Sequence, residues 1–276
     1  ETTIAEVFKS AAYATGSIGK WHLGGPEYYP EKQGFDVNVA GTFAASPTSY
    51  FAPWEIPSLP EGRDGDYLTD RMGKEAVRFI ERAKDRPFFL YLPHFAVHKP
   101  IQGRADLVAK YKAKVKPGLK HTNAAYAAMI ESLDAAVGRV VNKLDELGLA
   151  ERTAVIFTSD NGGHLPTTAN TPLRLGKASA YEGGVRVPLI VRWPGLVAPG
   201  SVCDAPVITM DWLPTLVELC GLSAPANLDG VSLAPLLRGG RSLQRDTLFW
   251  HYPHHQHYQL GGAMPYGAIR AGDFKL

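Results

Sequence analysis

Three times in this sequence an apolar run empties into side chains suited to a bound anion or a hard cation. Thr153-Ala154-Val155-Ile156-Phe157 leads into Thr158-Ser159-Asp160-Asn161-Gly162-Gly163. Asp160 and Asn161 offer the hard oxygens that Ca²⁺ or Mg²⁺ requires, and the glycines let the backbone turn away from an ion. Phe88-Phe89-Leu90-Tyr91-Leu92 leads into Pro93-His94-Phe95-Ala96-Val97-His98-Lys99-Pro100. Near the start, Gly16-Ser17-Ile18-Gly19-Lys20-Trp21-His22-Leu23-Gly24-Gly25 sets a cation and an imidazole between glycine pairs, as a short strand opening into a tight loop would. Lys20 and His22 are two apart, so an extended segment projects both to one side, where they make an anion site. A further segment, Leu173 to Pro188, carries Lys177 among glycines, in a loop that brings an ammonium to a crowded place. Each has a plainer reading. Asp-Asn-Gly is ordinary turn chemistry, Lys20 suits a solvated loop, and a lone His is more often structural than catalytic.

The elements that must position these groups are legible in the periodicity. An unbroken apolar run such as 153–157 reads as a strand buried on both faces of a parallel sheet, its polar end at the carboxyl edge where open α/β folds bind ligands. Thr2 to Thr15 has helical spacing at Ile4, Val7, Phe8, Ala11 and Ala12, with Thr2 or Thr3 as cap. Asp66 to Lys84 is amphipathic through Leu68, Met72, Ala76, Phe79, Ile80 and Ala83. Residues 104 to 118 are Lys-rich and read as an exposed helix and turn. His121 to Leu147 is the longest predicted helix, with Tyr126, Met129, Ile130, Leu133, Val137, Val140, Val141, Leu144 and Leu147 on one face and Gly148 as its stop. Val187 to Val191 reads as a strand, and Thr209 to Leu219 as a helix that accepts Pro214 in its first turn. The strand–helix–strand alternation predicts an α/β fold with a mainly parallel sheet. Leu248 to Trp250 and Ala268 to Arg270 read as two strands flanking the His-rich stretch His251 to His257. A small antiparallel C-terminal unit is therefore expected over 246–276, after a larger α/β domain over 1–245. The His-rich stretch suits metal, substrate or plain solvent exposure.

With 276 residues, 45% hydrophobic and 20% charged, the chain has ample material for a core. A formal charge of +2 implies no nucleic-acid partner and no acidic membrane surface. No apolar run approaches the roughly eighteen residues of a membrane helix. Cys203 and Cys220 permit one disulfide without demanding it. The chain opens on Glu1 in a helical pattern and stops in what looks like an unfinished strand, so sequence is expected on both sides. The absence of a signal peptide then carries no information about localisation.

Four of these segments, in order across residues 16 to 188, resemble the motifs of the type I sulfatases, formylglycine-dependent and alkaline-phosphatase-like. They are Gly19-Lys20-Trp21-His22-Leu23-Gly24, His98-Lys99-Pro100, Thr158-Ser159-Asp160-Asn161-Gly162-Gly163, and Gly176-Lys177 through Tyr181-Glu182-Gly183-Gly184-Val185-Arg186-Val187-Pro188. The tail Gly267 to Leu276 is similar to that family's C-terminal subdomain. The resemblance implies an alkaline-phosphatase-like fold and hydrolysis of a sulfate monoester through a formylglycine diol, made by a maturation enzyme from a Cys or Ser, with a divalent cation, usually Ca²⁺. Carried over by motif, Lys20 would bind the diol and sulfate oxygens, and His22 would hold the diol and take its proton. His98 and Lys177 would grip the sulfate, one of them protonating the leaving oxygen. Asp160 and Asn161 would ligate the cation.

The departures are equally specific. No Cys/Ser-x-Pro-x-Arg nucleophile motif occurs: Cys203 and Cys220 lack it, and Ser46-Pro47-Thr48-Ser49-Tyr50 has its proline misplaced and no arginine. The family's N-terminal metal-binding aspartates are also missing. The nucleophile is expected upstream of Glu1, the parent is expected to be the enzyme, and this chain alone is expected to be inactive. Two rivals stay open, a phosphodiesterase or phosphonate hydrolase of the same superfold and a non-catalytic anion-binding relative. Aromatics in residues 28 to 54 and the His-rich stretch favour a sulfated carbohydrate over an aryl sulfate. Family habit implies a periplasmic or extracellular enzyme, or a lysosomal one.

Overall fold

The computed structural model describes residues 1–254 and 265–276, so His255, Gln256 and His257 of the His-rich stretch lie outside the described residues. The chain divides into two compact units. The first comprises residues 1–115, 124–150 and 221–225, and the second residues 116–123, 151–220 and 226–276.

In the first unit, helix α1 (Ile4–Ser10) starts at a capping box, in which Thr3 Oγ1 accepts the Glu6 N–H and Glu6 returns a carboxylate oxygen to the Thr3 N–H. It is shorter than its apolar spacing predicts. Ala14–Ile18 form strand β1 instead, paired with β2 (Val37–Val39) on one side and with β3 (Phe88–Tyr91) on the other, both parallel. Every residue of β1 is buried, including Thr15, whose hydroxyl is satisfied by the Gly34 carbonyl at 2.8 Å. Gly16 in its middle admits the Phe79 ring, which would lie 2.6 Å from an added Cβ.

Helix α2 (Leu68–Ala83) buries all six apolar positions its pattern assigns to the core. Helix α3 (Ala105–Lys112) has no buried residue, as its lysines predict. Helix α4 (Ala124–Glu146) packs on α2 but through a rotated face. Its buried positions are Ala128, Met129, Ser132, Ala136, Val140 and Leu144, whereas Ile130 is 46% exposed. Five of those six recur at every fourth residue, forming an i±4 ridge whose small members admit a close crossing. An added Cβ at Gly73 of α2 would come within 3.1 Å of Ala136 Cβ. Close approach thus outranks side-chain size in choosing the face. Gly148 ends the segment in a left-handed conformation, φ 65°.

In the second unit, β4 (Val155–Thr158) departs from expectation. It pairs antiparallel with β5 (Leu189–Arg192), and Val155, Ile156 and Phe157 are half-buried. A parallel neighbour needs a long crossover, usually a helix. Only the four-residue helix α5 (Glu182–Val185) lies between the two strands, so the chain doubles back. Helix α6 (Trp212–Leu219) takes Pro214 in its first turn, and α7 (Ala234–Leu237) follows. Strands β6 (Thr247–Tyr252), β7 (Tyr266–Ala271) and β8 (Phe274–Lys275) make the expected antiparallel C-terminal sheet. Cys203 and Cys220 are both free thiols.

This unit is pinned by a buried charge. Asp211, with no exposed surface, accepts two bonds from Arg245, at 2.6 and 2.7 Å, and backbone N–H bonds from Ile208 and Val231. Removing one partner of such a pair leaves an uncompensated buried charge and costs about 3–5 kcal/mol. Arg245→Ala is therefore expected to lower the unfolding midpoint strongly by urea or thermal denaturation. A shift comparable to Arg238→Ala, whose ion pair with Glu218 is exposed, would contradict this.

Candidate active site

Because β1 and β3 are adjacent and parallel, their carboxyl ends open side by side. The Lys20 N–H donates to the Pro93 carbonyl at 2.7 Å, stitching the two loops together. Gly19 makes this possible: at φ 128° an added Cβ would sit 2.1 Å from Pro93 O. Lys20 and His22 lie beyond the end of β1 and do not share an extended segment, correcting the two-apart expectation. The strand ends at Ile18, and His22 itself is left-handed, φ 56°, with its N–H on the Thr42 carbonyl at 2.9 Å. A non-glycine residue in that region carries roughly 1–2 kcal/mol of strain. His22 is exposed and Lys20 half-buried.

His98 is held from several directions. Its N–H donates to the Phe95 carbonyl at 2.9 Å, and its own carbonyl accepts the Tyr50 hydroxyl at 3.0 Å. Its Nδ1 lies 3.0 Å from Ser46 Oγ and 3.3 Å from the Lys99 carbonyl. Burial raises the pKa of Tyr50 and pushes that of Tyr67 up to about 12, so both phenols remain hydrogen-bond donors. Tyr50 and Trp54, counted among the sugar-facing aromatics in the sequence, are core residues with 0% and 1% exposure. Tyr28 and Phe43 keep open surface in that loop.

His94 sits between these loops in sequence and received no role from it. Among the described residues neither ring nitrogen has a hydrogen-bond partner, and burial pushes its pKa down to about 4. The ring is therefore neutral at pH 7.

In the second unit, the loops after β4 and before β5 are laced through backbone. The Gly162 N–H donates to Gly184 O at 2.9 Å, and the Lys177 N–H to Gly163 O at 3.1 Å. An added Cβ at Gly162 would lie 1.7 Å from Gly183 O. Asn170, unremarked in the sequence, clips the turn by accepting the Gly163 N–H at 2.9 Å and donating to its carbonyl at 2.8 Å. Lys275 of β8 reaches Glu182 at 2.9 Å while lying over the Trp250 ring, which ties the C-terminal sheet to the lysine loop. Lys177 is half-buried and Asp160 exposed.

Asp160 and Asn161 are chemically suited to a hard cation. Asn161 Nδ2 donates to Asp160 Oδ1 at 3.1 Å, so a cation would replace that bond with two oxygen donors. Two donors are a minority of the six or more that Ca²⁺ takes. Among the described residues, no three His, Cys, Asp or Glu side chains gather into a metal-binding group.

Strands that deliver Lys, His and paired oxygen donors to loop ends, with an antiparallel C-terminal sheet, belong to an alkaline-phosphatase-like α/β fold. Residues 1–222 match the model of the Sulfatase family, and residues 175–276 match that of the N-sulphoglucosamine sulphohydrolase C-terminal region. A sulfatase from Formosa agariphila is 46% identical over 218 residues, covering 73% of this chain and 38% of its own. Human N-acetylgalactosamine-6-sulfatase is 32% identical over 280 residues, covering 91% of this chain and 51% of its own. The crystal structure of Ps i-CgsB superposes with a TM-score of 0.84 at 30% identity, covering 99% of this chain and 64% of that one. The same protein has been solved in complex with k-i-k-neocarrahexaose. The chain belongs to the sulfatase family. It spans about half the length of the curated relatives it matches.

His94 generates a pH prediction. Below the ordinary histidine pKa of 6.5 the unfolded chain takes up a proton that the folded chain refuses until about pH 4. Stability is therefore expected to fall across that window as pH drops, by about 3 kcal/mol from this residue at the lower end. Urea unfolding of the native chain and of His94→Gln checks it. The native chain should lose more stability between about pH 7 and about pH 4, and parallel losses would refute the assignment.

Proposed function

We propose that the full-length protein hydrolyses a sulfate monoester on a carbohydrate. The reading is carried by four sulfatase-like motifs whose loops are backbone-bonded in pairs, Lys20 to Pro93 and Lys177 to Gly163. Formylglycine, made from a Cys or Ser, would provide the nucleophile, and no Cys/Ser-x-Pro-x-Arg motif to yield it occurs in this sequence. The chain's own residues would do the rest. Lys20 and Lys177 are point charges that would neutralise sulfuryl oxygens as charge builds on them. His22 would take the proton released as sulfate leaves. His98 would contact the sulfate and, with Lys177 as the other candidate, protonate the departing alcohol oxygen. Asp160 and Asn161 would contribute two ligands to a divalent cation, Ca²⁺ or Mg²⁺, whose chemistry is electrostatic stabilisation of the bound oxyanion.

The names of the relatives, an N-acetylgalactosamine-6-sulfatase and a protein solved with a neocarrahexaose, support a sugar substrate. So do the exposed Tyr28 and Phe43, which offer faces for a ring. We also propose a catalytic domain over 1–245 and a C-terminal subdomain from 246, a boundary supported by the start of β6 at Thr247. No helix among the described residues is long and apolar enough to cross a membrane. Export to the periplasm, cell exterior or lysosome is proposed from the family alone, as is maturation by a formylglycine-generating enzyme.

Matched sulfate and phosphate esters of one sugar, assayed in parallel on the full-length protein, separate this function from phosphoryl transfer. Sulfate release should dominate and disappear on chelation of divalent cations. Lys177→Ala should lower kcat by about 10²-fold or more, the scale of losing a preorganised charge contact. Preferential phosphate release, or no turnover of either ester, would reject the proposal.

A further inference from the structure

Two oxygens face the same nitrogen of His98, Ser46 Oγ at 3.0 Å from Nδ1 and the Lys99 carbonyl at 3.3 Å. A carbonyl oxygen only accepts hydrogen bonds, whereas a hydroxyl oxygen can accept or donate. The arrangement that satisfies both contacts carries a proton on Nδ1 shared between the two oxygens. Nε2 is then the nitrogen that exchanges a proton with a ligand.

The segment bearing Ser46 is well anchored. The Thr42 carbonyl accepts the His22 N–H, Pro47 is buried, and the Tyr50 hydroxyl donates to the His98 carbonyl. The Tyr50 N–H donates to Gln102 Oε1 at 2.8 Å, and the Tyr67 hydroxyl to the Gln102 carbonyl at 2.7 Å. Residues 42–50 thus bond to the backbone of one candidate histidine and to both backbone and ring of the other. As a nucleophile Ser46 lacks the required neighbours, but its geometry fits another task.

We propose that Ser46 is a positioning residue that, with the Lys99 carbonyl, fixes the proton on His98 Nδ1 and orients Nε2 to protonate the leaving oxygen of the ester. The catalytic half of this role rests on the sulfatase reading; the proton assignment does not. As the attacking nucleophile's oxygen bonds to sulfur and the S–O bond to the leaving group breaks, that bond's electron pair passes to the leaving oxygen and the Nε2 proton of the imidazolium follows. The neutral ring left behind keeps Nδ1–H on its two acceptors. Hydrogen bonds to a charged donor are the stronger ones, so losing the Ser46 oxygen weakens the charged ring more than the neutral ring.

Histidine ¹⁵N NMR on the full-length protein, with the His98 signal assigned by His98→Gln, reads the tautomer directly. The neutral ring should carry its proton on Nδ1. Ser46→Ala should reduce that share, and Ser46→Thr, which keeps a hydroxyl, should restore it. With a sulfate ester, Ser46→Ala should lower kcat about ten-fold, leave KM within about two-fold, and move the basic limb of the kcat profile down by about half to one pH unit. A residue that merely supported the loop would not move that limb. The proposal is overturned if the neutral ring carries its proton on Nε2, or if Ser46→Ala leaves both tautomer and basic limb unchanged. Failure to cleave any sulfate ester would overturn the sulfatase reading instead, and the tautomer would still decide the role of Ser46.

Discussion

Backbone packed directly on backbone, with no room for a side chain between, is the constraint on which both loop clusters depend. At Gly19 the neighbouring carbonyl would stand 2.1 Å from an added Cβ, and at Gly162 the distance would be 1.7 Å. Neither can be relieved by rotating a flexible side chain, because the obstacle is main chain in each case. The gain is that Lys20 and Lys177 stand on peptide groups fixed by hydrogen bonds of 2.7 and 3.1 Å. A long, mobile ammonium is useful to an anion only if its base does not move. Gly19 meets that need one residue before Lys20, and Gly162 meets it in the turn after β4, next to Gly163, whose carbonyl accepts the Lys177 N–H.

Rigid loops still have to be held by a core, and here the core reaches up into them. Tyr50 and Trp54 are fully buried although they lie in a stretch without regular structure, and Trp54 Nε1 donates to the Tyr50 carbonyl. Two buried aromatics contribute several kcal/mol of apolar burial, roughly 1.5–3 kcal/mol each, enough to order a loop that has no helix or strand to stiffen it. The Tyr50 hydroxyl then spends its polar end on the His98 carbonyl at 3.0 Å. One residue joins the packing of the core to the placement of a candidate catalytic ring. In the second unit the same division of labour falls to Lys275, whose ammonium meets both the Glu182 carboxylate and the face of the Trp250 ring.

Much of this was readable from the residues alone, and the failures follow a pattern. Helix α2 and the stop at Gly148 were legible because periodicity and a left-handed glycine are local signals. Strand β4 was legible as a strand but not in its direction, since direction depends on how the chain travels from 158 to 189. The large apolar residues of α4 point to a different face from the buried one, because the partner helix selects for Ala128, Ser132 and Ala136. The motif residues were found by type and order. Their supports, Ser46, Asn170 and Lys275, were not, because Ser46 touches His98 across 52 positions and Lys275 touches Glu182 across 93. No window of sequence contains such a pair.

The contrast between His94 and His98 completes the picture of that loop. Both follow one strand, four positions apart, and nothing in their types distinguishes them. The ring nitrogens of His94 are buried and have no hydrogen-bond partner among the described residues, so nothing there offsets the desolvation of a charged ring and the neutral form is favoured. His98 has two oxygens on Nδ1 and lies half-buried, so either charge state finds partners on the same nitrogen. A ring that must change protonation during turnover needs acceptors that serve both states, and of these two histidines it is His98 that has them. The chemistry of the loop is therefore decided less by which residues it carries than by which of them the residues at 46 and 99 have been brought to face.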